Sequence, residues 1–148
     1  MAKQDLTLAG VELLRLLFEN AVLKHASGDR LKPGDEIATV RGPARLLLTR
    51  ERVALNFMQR LSGVATLAAK YVAAVEGTGA KILDTRKTTP GLRVLEKMAA
   101  AAGGIVNYRM GLWDAVLINN THMAVSGCGR IACDRAMEKG DADEYYRE

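Results

Sequence analysis

Asp84-Thr85-Arg86-Lys87-Thr88-Thr89 is a run of six polar residues directly after the apolar pair Ile82-Leu83. A packed interior does not hold such a run without partners, so its two cations should face solvent or a ligand. Two further polar stretches follow short apolar runs, Asn107-Tyr108-Arg109 after Ile105-Val106 and Asn119-Asn120-Thr121-His122 after Ala115 to Ile118. In parallel sheets and barrels the loops at the carboxyl ends of the strands form the site. If the three stretches are such loops, Arg86, Lys87 and Arg109 make a cationic pocket. Its arginine forks suit carboxylates or phosphates, and its lysine acts as a point charge. No nucleophile paired with a base is visible, and Gly91, Gly103, Gly104 and Gly111 match neither the P-loop nor the dinucleotide spacing. The chemistry within reach is anion binding and stabilisation of charge, not covalent catalysis.

The elements that would position these loops alternate in kind. Ala80 to Leu83 is expected as a strand, Leu92 to Ala102 as a helix, and Ile105-Val106 and Ala115 to Ile118 as further strands. Pro90 stands near the helix start and Gly103-Gly104 at its end. Strands buried on both faces carry no polar alternation, so the pattern is that of a parallel β-α-β unit. Upstream, Leu8 to Glu19 has helical spacing, and Ala21 to Val40 reads as short strands broken by Gly28-Asp29 and Pro33-Gly34-Asp35. After Gly42-Pro43, Thr49 is expected to cap a helix starting near Arg50 that is interrupted at Ser62-Gly63 and resumes to Gly77. A glycine inside a helix costs about 1 kcal/mol against alanine, so a bend or a close helix contact is expected at Gly63. Arg52 then falls in a first turn, where a cation opposes the helix dipole; it either stands in solvent or has a partner elsewhere.

Composition narrows the function classes. At 148 residues, 49% of them hydrophobic, the chain suits a globular domain with or without a small lobe. No apolar run approaches the ~18 residues of a membrane span, and the first residues lack the apolar centre of a signal peptide. Cytoplasm is the expected location. The formal charge of +4 is uneven: residues 134–148 carry −3, leaving +7 on the remainder. That balance attracts anions. With 5% aromatic residues and no basic run interleaved with stacking side chains, nucleic acid is not the expected anion. Cys128 and Cys133 lie in an alanine-rich segment expected to be helical, and are read as reduced and structural. With His122 they form H-x5-C-x4-C, which falls short of the four closely spaced ligands of a structural zinc site. No metal-ligating residue is assigned.

Three longer motifs carry a resemblance: Glu51 to Gly63 (ERVALNFMQRLSG), Asp84 to Arg93 (DTRKTTPGLR) and Gly103 to Leu112 (GGIVNYRMGL). In this order and spacing they closely resemble the quinolinate phosphoribosyltransferases, from about Leu8 to about Ala136. The resemblance implies an α/β fold, with a small N-terminal α/β lobe (residues 1–45, partial) followed by the first part of an open α/β, TIM-like barrel (residues 46–137). Residues 138–148 form an acidic tail outside the family pattern. A closed eight-stranded barrel needs about 250 residues, so the chain is read as covering part of one.

The family transfers the phosphoribosyl group of phosphoribosyl pyrophosphate to quinolinate with decarboxylation, giving nicotinate mononucleotide, pyrophosphate and carbon dioxide. The resemblance further implies a homodimer, with Mg2+ on the donor pyrophosphate and the protein ligands of that metal beyond this chain. By position, Arg86 and Arg109 would hold quinolinate carboxylates, and Thr85 and Lys87 would line the same pocket, with Lys87 as the catalytic residue. Arg52 would reach into the neighbouring subunit's site. The chain departs from the family at Tyr108, where the family has histidine, and at Asn119, where it has a substrate-contacting lysine. A second class of function is therefore carried alongside: a non-catalytic paralogue that binds a dianionic metabolite or a full-length partner subunit.

Overall fold

The structure, a computed structural model, describes residues 1–138 and the backbone of 145–147. It divides into two units, Met1–Tyr108 and Arg109–Glu148.

In the first unit, β1 (Leu6–Thr7) pairs antiparallel with β3 (Arg30–Leu31), and β2 (Ala21–Leu23) pairs antiparallel with β4 (Ala38–Val40). The turns between them are closed by aspartates at the positions read as turn signals. Asp29 accepts from the backbone N–H of Ala26 at 3.0 Å, and Asp35 from that of Lys32 at 2.7 Å. The helix expected over residues 8–19 is shorter than its spacing suggests, a 3-10 turn at Val11–Leu13 followed by α1 at Leu14–Leu17. Gly10, at φ 79°, sets its start. Leu8, Val11, Leu14, Phe18 and Leu31 then close a small core against Ala54.

The spine of the unit is α2, Ala44–Ala74, a single helix of 31 residues. This corrects the expected start near Arg50 and the expected interruption at Ser62-Gly63. Pro43 occupies the cap position, and Thr49 lies inside the helix, its hydroxyl donating back to the carbonyls of Arg45 and Leu46 at 3.0 Å each. Ser62, by contrast, turns its hydroxyl away from its own helix. It accepts from the N–H of Ala9 at 3.1 Å, while Thr66 accepts from the N–H of Thr7 at 2.9 Å. These hydroxyls satisfy the backbone of the short edge strand β1 and of Ala9 just after it, which explains polar residues on a buried stripe. Nothing lies within 4 Å of where a Cβ of Gly63 would stand, so the close contact expected there is absent.

The buried stripe of α2, Ala54, Leu61, Ala65 and Ala68, recurs at helical spacing. Leu61 and Ala65 pack with Ala9 and with Ala99 of α3, Arg93–Ala102. Small residues set the approach of the two helices. A Cβ on Gly103 would run into the Ala65 carbonyl and the Ala68 Cβ. Beyond it Gly104, at φ 93°, takes the left-handed turn that ends α3. The strands flanking α3 are reduced to a parallel bridge between Leu83 and Val106, so the expected β-α-β order holds with less pairing than a full strand. The backbone N–H of Asp84 donates to the Val106 carbonyl at 3.2 Å, and that of Val106 to the Ile82 carbonyl at 3.0 Å.

In the second unit, β5 (Val116–Ile118) is followed by α4 (Asn120–Ser126) and α5 (Gly129–Met137), and pairs parallel with β6 (Tyr145–Arg147). The helical expectation around Cys128 and Cys133 holds. Cys128 is the N-cap of α5, its Sγ 3.5 Å from the N–H of Ile131. The rest of the expected acidic tail, residues 139–144 and 148, lies outside the described residues. Among the described residues no helix is long and apolar enough to cross a membrane.

The α2–α3 contact gives a direct test. Gly103→Ala is expected to destabilise the first unit by about 1–3 kcal/mol, the usual cost of inserting a methyl group where backbone already stands, measured as a lower urea midpoint. Gly63→Ala, with open space around it, is expected to be neutral or stabilising.

Candidate functional site

The loop from Asp84 to Leu92 is built by its own residues and held at both ends. Inside it, the N–H of Lys87 donates to Thr85 Oγ1 at 3.1 Å, and the N–H of Thr88 donates to the Arg86 carbonyl at 2.9 Å. Thr89-Pro90-Gly91-Leu92 closes a turn by a 3.0 Å bond from the Leu92 N–H to the Thr89 carbonyl. Proline second and Gly91 third, at φ 77°, fit a type II turn. Pro90 thus shapes the turn before the helix and does not enter its first turn.

At the far end, the guanidinium of Arg60 on α2 meets Glu96 Oε1 at 2.6 Å and donates to Thr89 Oγ1 at 2.6 Å. Glu96 Oε2 accepts from the Thr89 N–H at 3.0 Å. The hydrogen bond from Arg60, and then that from the Thr89 backbone, hold the Glu96 carboxyl below its ordinary range.

At the near end, Asp84 is gripped by a buried lysine. Lys97 Nζ stands 2.6 Å from Asp84 Oδ1 and 2.8 Å from the Tyr108 carbonyl. The Tyr108 N–H donates to Asp84 Oδ1 at 2.8 Å. With its amide oriented to match donors to acceptors, Asn107 donates to Asp84 Oδ2 at 2.8 Å and to the Lys97 carbonyl at 3.0 Å.

Between these anchors lie the residues singled out in the sequence. Thr85 and Lys87 are exposed and Arg86 is half-buried. Among the described residues the Arg86 side chain has no hydrogen-bond partner, and its Nε is fully buried. A buried donor left unpaired costs about 1–3 kcal/mol, and a carboxylate is the acceptor a guanidinium fork fits best. Arg52 stands exposed in the third turn of α2, not in a first turn, because the helix starts at Ala44. The expected opposition to the helix dipole therefore does not arise there.

The structure brings Thr85, Arg86 and Lys87 together in one loop of the first unit. Arg109 opens the second unit, its Nη1 donating to the Ala115 carbonyl at 3.2 Å. Asp114 closes the loop after it, accepting from the backbone N–H groups of Met110 at 2.5 Å and Gly111 at 3.0 Å.

Asn119 has a definite task. Its Oδ1 accepts from the N–H groups of Thr121 and His122 at 3.1 and 3.2 Å, and His122 Nδ1 accepts from the Asn119 N–H at 3.2 Å. This reciprocal cap starts α4. No group of three His, Cys, Asp or Glu side chains able to hold a metal ion is present among the described residues.

Lys97, Asp84 and the Arg60–Glu96–Thr89 link escaped the sequence reading. One signal was present: a carboxylate at the end of an apolar run needs a buried partner, and Lys97 shares a helix face with Ala100, three residues on.

The comparisons with known proteins follow the same motifs. The family model described as quinolinate phosphoribosyl transferase, N-terminal domain, matches residues 1–62, and that of the C-terminal domain matches residues 64–145. The chain belongs to the quinolinate phosphoribosyltransferase family.

It is 44% identical to a probable nicotinate-nucleotide pyrophosphorylase (carboxylating) of Bacillus subtilis, over 93% of this chain and 50% of that protein. It is 48% identical to the corresponding Mycobacterium leprae protein, over 80% of this chain and 40% of that one. Among solved structures, the nicotinate-nucleotide pyrophosphorylase of Ehrlichia chaffeensis superposes with a TM-score of 0.91 at 33% identity, covering 98% of this chain and 55% of that one. NadC from Streptococcus pyogenes gives 0.84 at 40%, covering 93% and 51%. The chain spans about half the length of the curated relatives it matches. The expected α/β fold, with coverage of only part of the family's fold, is thereby established. The family models divide within α2, between residues 62 and 64.

The Glu96 link predicts a pH dependence. A carboxyl held below its unfolded value of about 4.5 contributes stability that is complete above that value. The contribution fades as pH falls through the lower, folded value. Glu96→Gln should therefore lower the urea midpoint at pH 7, and its difference from the unmodified chain should shrink towards pH 3. A difference constant across that range would contradict the link.

Proposed function

We propose that this chain carries the quinolinate-binding loop of a phosphoribosyltransferase that makes nicotinate mononucleotide. In this reading phosphoribosyl pyrophosphate donates its ribosyl phosphate to the quinolinate nitrogen, one ring carboxylate leaves as carbon dioxide, and pyrophosphate departs. The observation that carries the reading is the Arg86 guanidinium, half-buried in the family's loop with an unpartnered, fully buried Nε. A ring dicarboxylate supplies the acceptor this donor lacks. Thr85 and Lys87 flank it, and Lys87, exposed and without a side-chain partner among the described residues, is free to act as the catalytic point charge.

Arg109 is the second carboxylate ligand in this reading. Arg52, exposed on α2 and likewise without a side-chain partner among the described residues, is the residue offered to the neighbouring subunit of a homodimer. Magnesium arrives with the donor pyrophosphate. A cytoplasmic location belongs to the same proposal.

The chemistry suits such residues. A ribosyl centre that develops positive charge, and a leaving group that carries negative charge, need placed charge more than an acid–base pair.

Asn119 favours a second reading, a paralogue that binds the dianion without turning it over. Its side chain is committed to capping α4, so the position at which the family uses a lysine offers no cation here.

Calorimetry with quinolinate and a steady-state assay of nicotinate mononucleotide formation separate the outcomes. Arg86→Leu should weaken quinolinate binding about tenfold or more, the worth of a charge-assisted hydrogen bond of roughly 1.5–3 kcal/mol. Unchanged binding would remove Arg86 from the site. Binding without turnover would select the non-catalytic reading, and no binding by the folded chain would exclude both. Asn119→Lys with Tyr108→His should raise quinolinate affinity about tenfold, a gain of about 1.4 kcal/mol. It should also cost roughly 0.5–2 kcal/mol of stability through the lost cap of α4.

A further inference from the structure

Lys97 is 2% exposed and is the largest fully buried side chain of the described residues. Its ammonium ties three segments that are distant along the chain. It reaches Asp84 at the end of the strand before the candidate loop, it belongs to the helix after that loop, and it holds the Tyr108 carbonyl at the end of the next strand. Asp84 in turn takes the Tyr108 N–H on the same oxygen and Asn107 on the other. Removing one partner of such a pair is strongly destabilising, yet exchanging the whole pair for uncharged groups of similar volume is commonly neutral or better. Stability alone therefore does not account for a charged pair where apolar side chains would fill the space.

We propose that the Lys97–Asp84 pair is the positioning device of the anion loop. It would act in two ways. Fixing the Asp84 carboxylate fixes the direction in which the chain leaves the strand. With Thr89 held by Arg60 and Glu96 at the other end, the residues Thr85 to Thr88 span two fixed points and are arranged before a ligand arrives. Preorganisation of this kind improves affinity by lowering the ordering cost of binding. The ammonium also neutralises Asp84, one residue from Thr85, where an unpaired carboxylate would repel an incoming dianion. Lys97 is a positioning residue and not a catalytic one, because its side chain is 2% exposed and its Nζ is bonded to Asp84 and the Tyr108 carbonyl. The inference rests on the anion-binding reading of Thr85, Arg86 and Lys87.

The test compares the full chain with Lys97→Met and with the double variant Lys97→Met, Asp84→Asn. The readouts are thermal melting, hydrogen exchange of the amides of residues 85–89, and calorimetry with quinolinate. Lys97→Met alone should melt far lower, because it leaves a buried carboxylate. The double variant should regain most of the melting temperature. Its loop amides should nevertheless exchange at least tenfold faster than in the unmodified chain, and quinolinate should bind at least tenfold more weakly, with exchange in α2 unchanged. A double variant with recovered melting and unmodified loop exchange would reduce the pair to packing and overturn the proposal. If the unmodified chain binds no quinolinate, the proposed function fails, while the exchange comparison still decides the role of the pair. Should the double variant not fold, the Lys97 ammonium resonance of the unmodified chain decides: slow exchange with water at neutral pH supports the enclosed pair, and rapid exchange overturns it.

Discussion

The ammonium group of Lys97 sits where three segments meet, and the candidate loop depends on it. An ion taken out of water is tolerated only when its hydrogen-bonding capacity is met. Here two of the three ammonium donors are taken by Asp84 Oδ1 and the Tyr108 carbonyl. The remaining capacity of Asp84 is met by Tyr108 and Asn107. Each member satisfies another, so the cluster behaves as one unit, and a half-satisfied version would be worse than an apolar core. The meagre parallel pairing at Leu83 and Val106 makes this cluster the main tie between the two strand ends in the first unit.

A second constraint comes from the long helix. α2 serves the small β-structured lobe and α3 through different parts of its surface. Thr66 and Ser62 supply hydroxyls to the backbone of β1 and of Ala9 just after it, and Leu61 and Ala65 supply a smooth apolar surface to Ala99. The helix therefore transmits position from the lobe to the loop. Arg60, one residue before the stripe residue Leu61, reaches Thr89 and Glu96 and pins the loop's far end. Arg60 and Glu96 are bonded side chain to side chain, but Glu96 also holds a backbone N–H. The link thus fixes main chain as well as side chains, which an ordinary surface ion pair does not do.

The departures from the family pattern are of two physical kinds. At position 108 the backbone does the structural work, through its N–H and its carbonyl, so the change of side chain leaves the Asp84 cluster intact. At position 119 it is the side chain that does the structural work, as the cap of α4.

The sequence by itself determined the family, the order of elements and the candidate loop. These depend on local signals: the polar run from Asp84 to Thr89 after an apolar pair, the proline and glycines around α3, and aspartates in the turns at Asp29 and Asp35. The loop's two cations were visible for the same reason, since charges in a polar run need no partner to be noticed. The start of α2 was misplaced because Thr49, a good cap residue, can equally bond back to carbonyls within a helix, and only the packing of Ala54 and its neighbours decides which. Ser62-Gly63 looks like a break in the sequence because the Ala9 backbone that Ser62 serves lies 53 residues away. Lys97 was passed over because its partners lie 13 and 11 residues off along the chain. Whether a lysine on a helix is solvated or buried is decided by what stands opposite it, and the tertiary structure alone placed Asp84 and the Tyr108 carbonyl there.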